Sequence, residues 1–194
     1  MNDVPLFPLN TVLFPGGRLP LRIFEQRYMT MAKACLRDGS PFGVCAIREG
    51  KEVGEPAVPY EVGTLVKIGE WDMPQLGMLH IIAQGGGRFR ILERRAQPDG
   101  LQLARLAPLP DVKDAPTSDE HRVPVRILQR VIEERPQLFA EPHGLDSCAW
   151  VSARLIELLP LSLATKQDLL ELDDAVERMQ RLGALLPKPR PAAS

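Results

Sequence analysis

The side chains that carry most enzyme chemistry are all present in this sequence, but at spacings that assemble none of the familiar reaction centres. Gly50-Lys51 is followed by Glu52 rather than Ser or Thr, and Cys45 stands five positions before Gly50, so there is no phosphate-binding P-loop. Gly85-Gly86-Gly87 leads into Arg88-Phe89-Arg90-Ile91-Leu92, which reads as a strand and offers no helix N-terminus to a phosphate. The triplet is therefore expected to be a hairpin turn between two strands.

His80, His121 and His143 have no second ligand at helical spacing, and His80 lies in an apolar strand as a core imidazole would. No metal or cofactor site is expected. Cys148 follows His143 by five residues but falls on the apolar stripe of a predicted helix, the place of a buried structural thiol. The pairs Glu133-Glu134 and Asp173-Asp174 are adjacent, so on a helix they point at different azimuths and suit caps or solvated faces better than an acid-base pair. One cluster remains: Arg88 and Arg90 on one strand face, with Arg94 and Arg95 following. These arginines could meet phosphates or a partner's carboxylates, and otherwise make a solvated face.

The elements that position these groups change character along the chain. Thirteen of the 15 glycines precede Asp111, and the first region reads as short strands: Val4–Phe7, Leu19–Phe24, Phe42–Arg48, Val62–Trp71, Met78–Ala83, Arg88–Arg94 and Leu101–Leu106. One helix interrupts them, with Tyr28, Met31, Ala32, Cys35 and Leu36 at helical spacing and Gly39 as its left-handed stop. Strands wrapped around one helix predict a small, partly closed barrel.

A proline-bearing stretch from Leu106 to Ser118 reads as a linker, and the boundary is placed near Asp114. Beyond it the period is helical. A first helix starts at Thr117 with Glu120 at capping-box spacing, and a second runs from about Asp146 to Leu159. Thr165 with Asp168 opens a third helix, and Asp173 or Asp174 caps a fourth. The expected architecture is α+β: a barrel over residues 1–114, a helical bundle over 115–187 and a disordered tail over 188–194.

Composition agrees with an ordinary globular chain: 194 residues, 44% hydrophobic, with 24 basic and 25 acidic side chains. No global field recruits nucleic acid or a membrane surface. Three scattered cysteines fit a reducing compartment, and no stretch is apolar enough to span a membrane, so a cytoplasmic location is expected.

The ordered segments PLFPLNTVLFPGGRLPLRIFEQRY, Phe42-Gly43-Val44, VGEPAVPYEVGTLVKI, GGGRFRIL and LPLSLATKQDLLELDDAVERMQRLGALL resemble the N-terminal domain family of Lon proteases. The likeness extends from Val4 to about Leu186. It implies a pseudobarrel related to the PUA superfamily, followed by a helical bundle, and a role in recognising unfolded or tagged polypeptides. ATP-dependent proteolysis is not carried over, because the sequence holds neither a P-loop nor the serine-containing segment of the protease domain.

Two functional readings follow. In the first, a stand-alone, non-enzymatic domain binds extended polypeptide segments, acting as an adaptor or working beside a separate Lon-type protease. Its candidate contacts are Phe14, Pro15, Arg22, Tyr28, Trp71 and Arg90, against a competing packing role for Phe14, Pro15 and Tyr28. In the second, a PUA-like module contacts RNA through Arg88, Arg90, Arg94 and Arg95.

Overall fold

The computed structural model describes residues 3–186, and the expected tail at 188–194 lies outside the described residues. Six strands, β1 (Val4–Leu9), β2 (Arg18–Ile23), β3 (Phe42–Glu49), β4 (Val58–Gln75), β5 (Met78–Ala96) and β6 (Gln102–Pro108), form one sheet in the order β2-β5-β4-β3-β1-β6. β5 also pairs with β6, which closes most of the sheet into a barrel. β1 and β3 run parallel, while the remaining pairs are antiparallel.

Helix α1 (Gln26–Asp38) buries Tyr28, Met31, Ala32 and Cys35 against the barrel interior, in a cluster with Phe7, Ile23, Phe42, Val66 and Ile81. It ends at Gly39, whose φ of 63° is open to a residue without Cβ. Side chains alternate along β4: Thr64 and Val66 are buried while Lys67 and Gly69 face outward. The Thr64 hydroxyl donates to the Leu13 carbonyl at 2.6 Å, which satisfies it in the core.

The glycine triplet does not turn the chain. The expected strands Met78–Ala83 and Arg88–Arg94 are the two ends of the single 19-residue strand β5, which runs straight through Gly85, Gly86 and Gly87. The triplet's work is close approach. Gly85 exchanges main-chain hydrogen bonds with the preceding loop, from Gly16 N–H and to Gly17 C=O, both 2.8 Å. A Cβ on Gly85 would stand 2.5 Å from the Phe14 carbonyl oxygen. The register against β4 also shifts here, as a bulge requires. The hairpin turn lies earlier, at Leu76-Gly77, where Gly77 has φ 86°.

Four helices follow: α2 (Arg122–Glu134), α3 (Cys148–Leu158), α4 (Leu163–Glu171) and α5 (Ala175–Leu185). The N-termini of α3 and α4 differ from expectation by one to three residues because the side chain that reaches the free amides is a neighbouring serine, and α2 starts only at Arg122, after a short 3-10 turn over Asp119–His121. Ser118 N–H donates to His121 Nδ1 at 3.1 Å before α2, in place of Thr117 with Glu120. Ser147 accepts from Trp150 N–H at 3.0 Å, and Ser162, rather than Thr165, caps α4 by accepting from Thr165 N–H at 3.1 Å. Asp174 caps α5 through Val176 and Glu177 N–H.

The stretch expected as a linker is tied at both sides. Lys113 exchanges main-chain hydrogen bonds with Asp173 and Ala175, and the Cys148 N–H donates to the Ala115 carbonyl. One apolar cluster joins Val12, Phe14 and Val62 of the barrel region to Leu128, Val151, Leu155 and Met179 of the helices. Barrel and bundle thus share a core across the boundary near Asp114.

Candidate functional site

The barrel is incomplete at one place. β2 pairs with β5 alone, and β1 pairs with β6 only over Val4–Leu6, which leaves the second edge of β2 and the Phe7–Leu9 part of that edge of β1 unjoined. Main-chain polar groups alternate in direction along an extended strand. The Gly85 N–H donates to the Gly17 carbonyl, so the odd-numbered residues that continue into β2 face β5. The even-numbered Arg18, Pro20 and Arg22 therefore turn their main-chain groups to the gap, and Pro20 supplies no N–H there. A proline confined to an edge strand is the usual arrangement.

Two hollows flank this edge. A cleft of about 230 Å³ fills the gap, lined by Leu9 and Asn10 at the end of β1, Arg22 of β2, Tyr28 of α1, and Glu52 and Val53 of the loop between β3 and β4. On the other side of β2 an open groove of about 560 Å³ crosses three strands. Its walls follow from register, because Pro20, Ile82 and Glu70 lie in one cross-strand row and Arg22, His80 and Asp72 in the next. Trp71 lines the same groove and is 60% exposed. An exposed aromatic on the rim of such a groove, in the row of Leu21 and Ile81, is the kind of surface that binding uses.

Of the residues singled out from sequence, Arg22 and Trp71 come together in the larger groove, while Arg22 and Tyr28 meet in the smaller cleft. Tyr28 is mostly packing: it is 5% exposed, and its ring stacks on Phe7 with centroids 4.1 Å apart. Burial raises the pKa of its hydroxyl, partly opposed by the neighbouring Arg27. Phe14 is fully buried, with the Arg178 guanidinium 5.4 Å from its ring centroid, and presents no surface to a ligand. Pro15 lies elsewhere, at the barrel–bundle junction, where its carbonyl accepts from Arg154 Nη2 at 3.0 Å. Arg90 is exposed and stands 3.7 Å from Glu61.

The arginine cluster is not a free basic face. Arg88 is buried, and its guanidinium donates to the carbonyls of Leu170, Leu172 and Pro110 and to the Asp173 carboxylate, all within 2.7–3.0 Å. All four Nη–H groups are thereby taken, and none of them remains for a phosphate. Arg94 donates to Gln102 at 2.8 Å, and Arg95 to Asp3 at 2.7 Å. Strand alternation put Arg88 and Arg90 on the same face, but only the packing of the helices covers that face at Arg88 and leaves it open at Arg90.

Pro20, Glu70, Asp72, Ile82 and His80 were not foreseen as groove residues. The readable signal was Leu19-Pro20-Leu21, a proline inside a strand, which marks an edge. His80 is partly buried, with its Nε2 lacking any hydrogen-bond partner. Cys148 is fully buried and meets His121, not His143, with Sγ 3.7 Å from Nδ1. Burial raises its thiol pKa and Asp114 raises it further, which is the opposite of activation as a nucleophile. Among the described residues no helix is long and apolar enough to cross a membrane.

Residues 3–188 match the model of the ATP-dependent protease La (LON) substrate-binding domain. The chain belongs to that family. The likeness to a Lon N-terminal domain protein of Xanthomonas campestris, solved by crystallography, has a TM-score of 0.78 at 36% identity and covers 96% of this chain and 100% of that one. The N-terminal domain of the Mycobacterium avium complex Lon protease shares the fold, with a TM-score of 0.64 at 17% identity over 93% of this chain and 96% of that one. The Lon protease of Cytophaga hutchinsonii is 28% identical over 95% of this chain, which spans 24% of that protease's length. The α+β barrel-and-bundle architecture is thus that of Lon substrate-binding domains.

Proposed function

We propose that this Lon-type domain binds extended polypeptide segments along the free edge of β2, and that it acts by capture rather than by catalysis. The observation that carries this reading is the unpaired β2 edge between two hollows, with Arg22 common to both. An incoming segment would add as a strand: its main chain pairs with the N–H and C=O groups of Arg18 and Arg22 and the C=O of Pro20, while alternate side chains settle into the groove beside Trp71. Support comes from the family, whose model is described as substrate-binding. A separate Lon-type protease is the partner to which such a domain would deliver captured chains.

The test is an amide NMR titration with short extended peptides. Strand addition shifts and protects the Arg18 and Arg22 amides first and perturbs the Trp71 indole. Peptides that bind while leaving β2 unperturbed, or that fail to bind at millimolar concentration, would sink the reading.

A further inference from the structure

We infer that the segment added to β2 carries an acidic side chain, Asp or Glu, in register with Arg22; this rests on the strand-addition reading above. The argument is one of charge complementarity. Of the carboxylates that line the two hollows, two are ion-paired and two accept a main-chain N–H. Glu70 takes Arg18 at 2.7 Å, Glu25 takes Arg27 at 2.8 Å, Glu52 accepts the Asn10 N–H, and Asp72 accepts the Met73 N–H at 2.8 Å. Arg22 stands apart. It is exposed, lines both hollows, and forms no ion pair or side-chain hydrogen bond among the described residues.

Position sharpens the point. Arg22 stands in a cross-strand row with His80 and Asp72 on the β5 side, and its other side is the open edge. A residue on an added strand opposite Arg22 would lie one strand spacing away, about 5 Å. Asp72 would lie three spacings away, about 14 Å, beyond the roughly 8 Å over which charge is felt at physiological salt. An acid at that place meets Arg22 and is spared Asp72. A lysine there would meet like charge.

The same features turn away a second copy of this chain. Antiparallel pairing of β2 with itself would give Pro20 no donor to share and would bring arginine-rich strands together, two devices by which sheet edges avoid self-association. The edge therefore suits a foreign acidic strand better than its own.

The experiment uses fluorescein-labelled, C-terminally amidated nine-residue peptides of alternating Thr and Val, whose central residue is Asp, Asn or Lys, titrated against the full chain at about 0.15 M salt, the ionic strength at which Asp72 is screened. Opposite charges directly across a strand pair favour the Asp peptide over the Asn peptide by about two- to five-fold, with the Lys peptide weakest. In Arg22→Glu the order reverses, with the Lys peptide tightest, and Arg22→Gln abolishes the discrimination; retained thermal unfolding of both variants shows that the fold is kept. Equal affinity for Asp and Asn, with β2 amides still shifting, overturns the acidic preference and leaves strand addition standing. Absence of binding by all three peptides overturns both. Tighter binding of a peptide that ends at the guest position with a free carboxylate would assign Arg22 to chain termini and overturn the side-chain assignment.

Discussion

Arg88 Nη2 and Asp173 Oδ1 stand 2.7 Å apart, yet the arginine side chain is 1% exposed and the aspartate 76%. The pair is lopsided: the guanidinium is a buried rivet between barrel and bundle, and the carboxylate is its solvated end. Its three carbonyl acceptors come from the end of α4, the loop after it, and the segment after β6.

Removal of the two partners should therefore differ sharply. Arg88→Ala strips hydrogen bonds from three carbonyls and leaves a cavity, at a cost of about 3 kcal/mol or more. Asp173→Ala should cost about 1 kcal/mol or less, because an exposed carboxylate contributes little beyond its screened attraction. Urea unfolding of both variants checks the asymmetry. Equal losses would mean that the ion pair, not the carbonyl network, fastens the junction.

Two glycines two residues apart in sequence, Gly85 and Gly87, should respond in opposite ways to alanine. A Cβ on Gly85 meets the Phe14 carbonyl at 2.5 Å, whereas one on Gly87 meets nothing within 4 Å. Gly85→Ala must displace the loop that carries Phe14 and should cost about 2 kcal/mol. Gly87→Ala should stay within about 0.5 kcal/mol of the parent. Thermal unfolding of the two variants reads this directly.

Trp71→Ala should leave stability within about 0.5 kcal/mol, because the ring is mostly solvated. Peptide affinity should fall about ten-fold, as for a central aromatic contact. A variant that binds peptide as tightly as the parent would remove Trp71 from the site.

Glu157 makes the stability of the protein depend on pH. Burial pushes its carboxyl above the ordinary value of 4.5, opposed only in part by Arg154 and the Phe14 N–H. The folded state thus holds a proton that the unfolded chain has already released. Stability from this group is full below the unfolded value and is lost as pH rises through the raised folded one. Glu157→Gln should flatten the slope of unfolding free energy against pH above about 4.5, measured in urea; an unchanged slope would show that Glu157 ionises as freely in the folded state as in the unfolded.

Much of the fold was readable because it rests on local rules. The spacing of Tyr28, Met31, Ala32 and Cys35, with Gly39 behind them, specifies α1 through side-chain period and backbone freedom alone. Asp174 as a cap follows from the same short-range geometry. The chemical inventory was readable too, since a missing P-loop needs no coordinates. Of the site, Arg22 and Trp71 were named for a shared role and do line one groove.

What the chain's order could not disclose depends on contacts made across long separations. Gly85 reads as a turn until the Phe14 loop, some seventy residues earlier, is laid against it at main-chain distance. Arg88 and Arg90 are indistinguishable by strand alternation, and α4 with its following loop decides which of them is buried. Phe14 reads from sequence as either packing or contact, and the helices that close over it make it packing. Period assigns a side chain to a face, but whether that face meets water or protein is settled by the packing of distant elements.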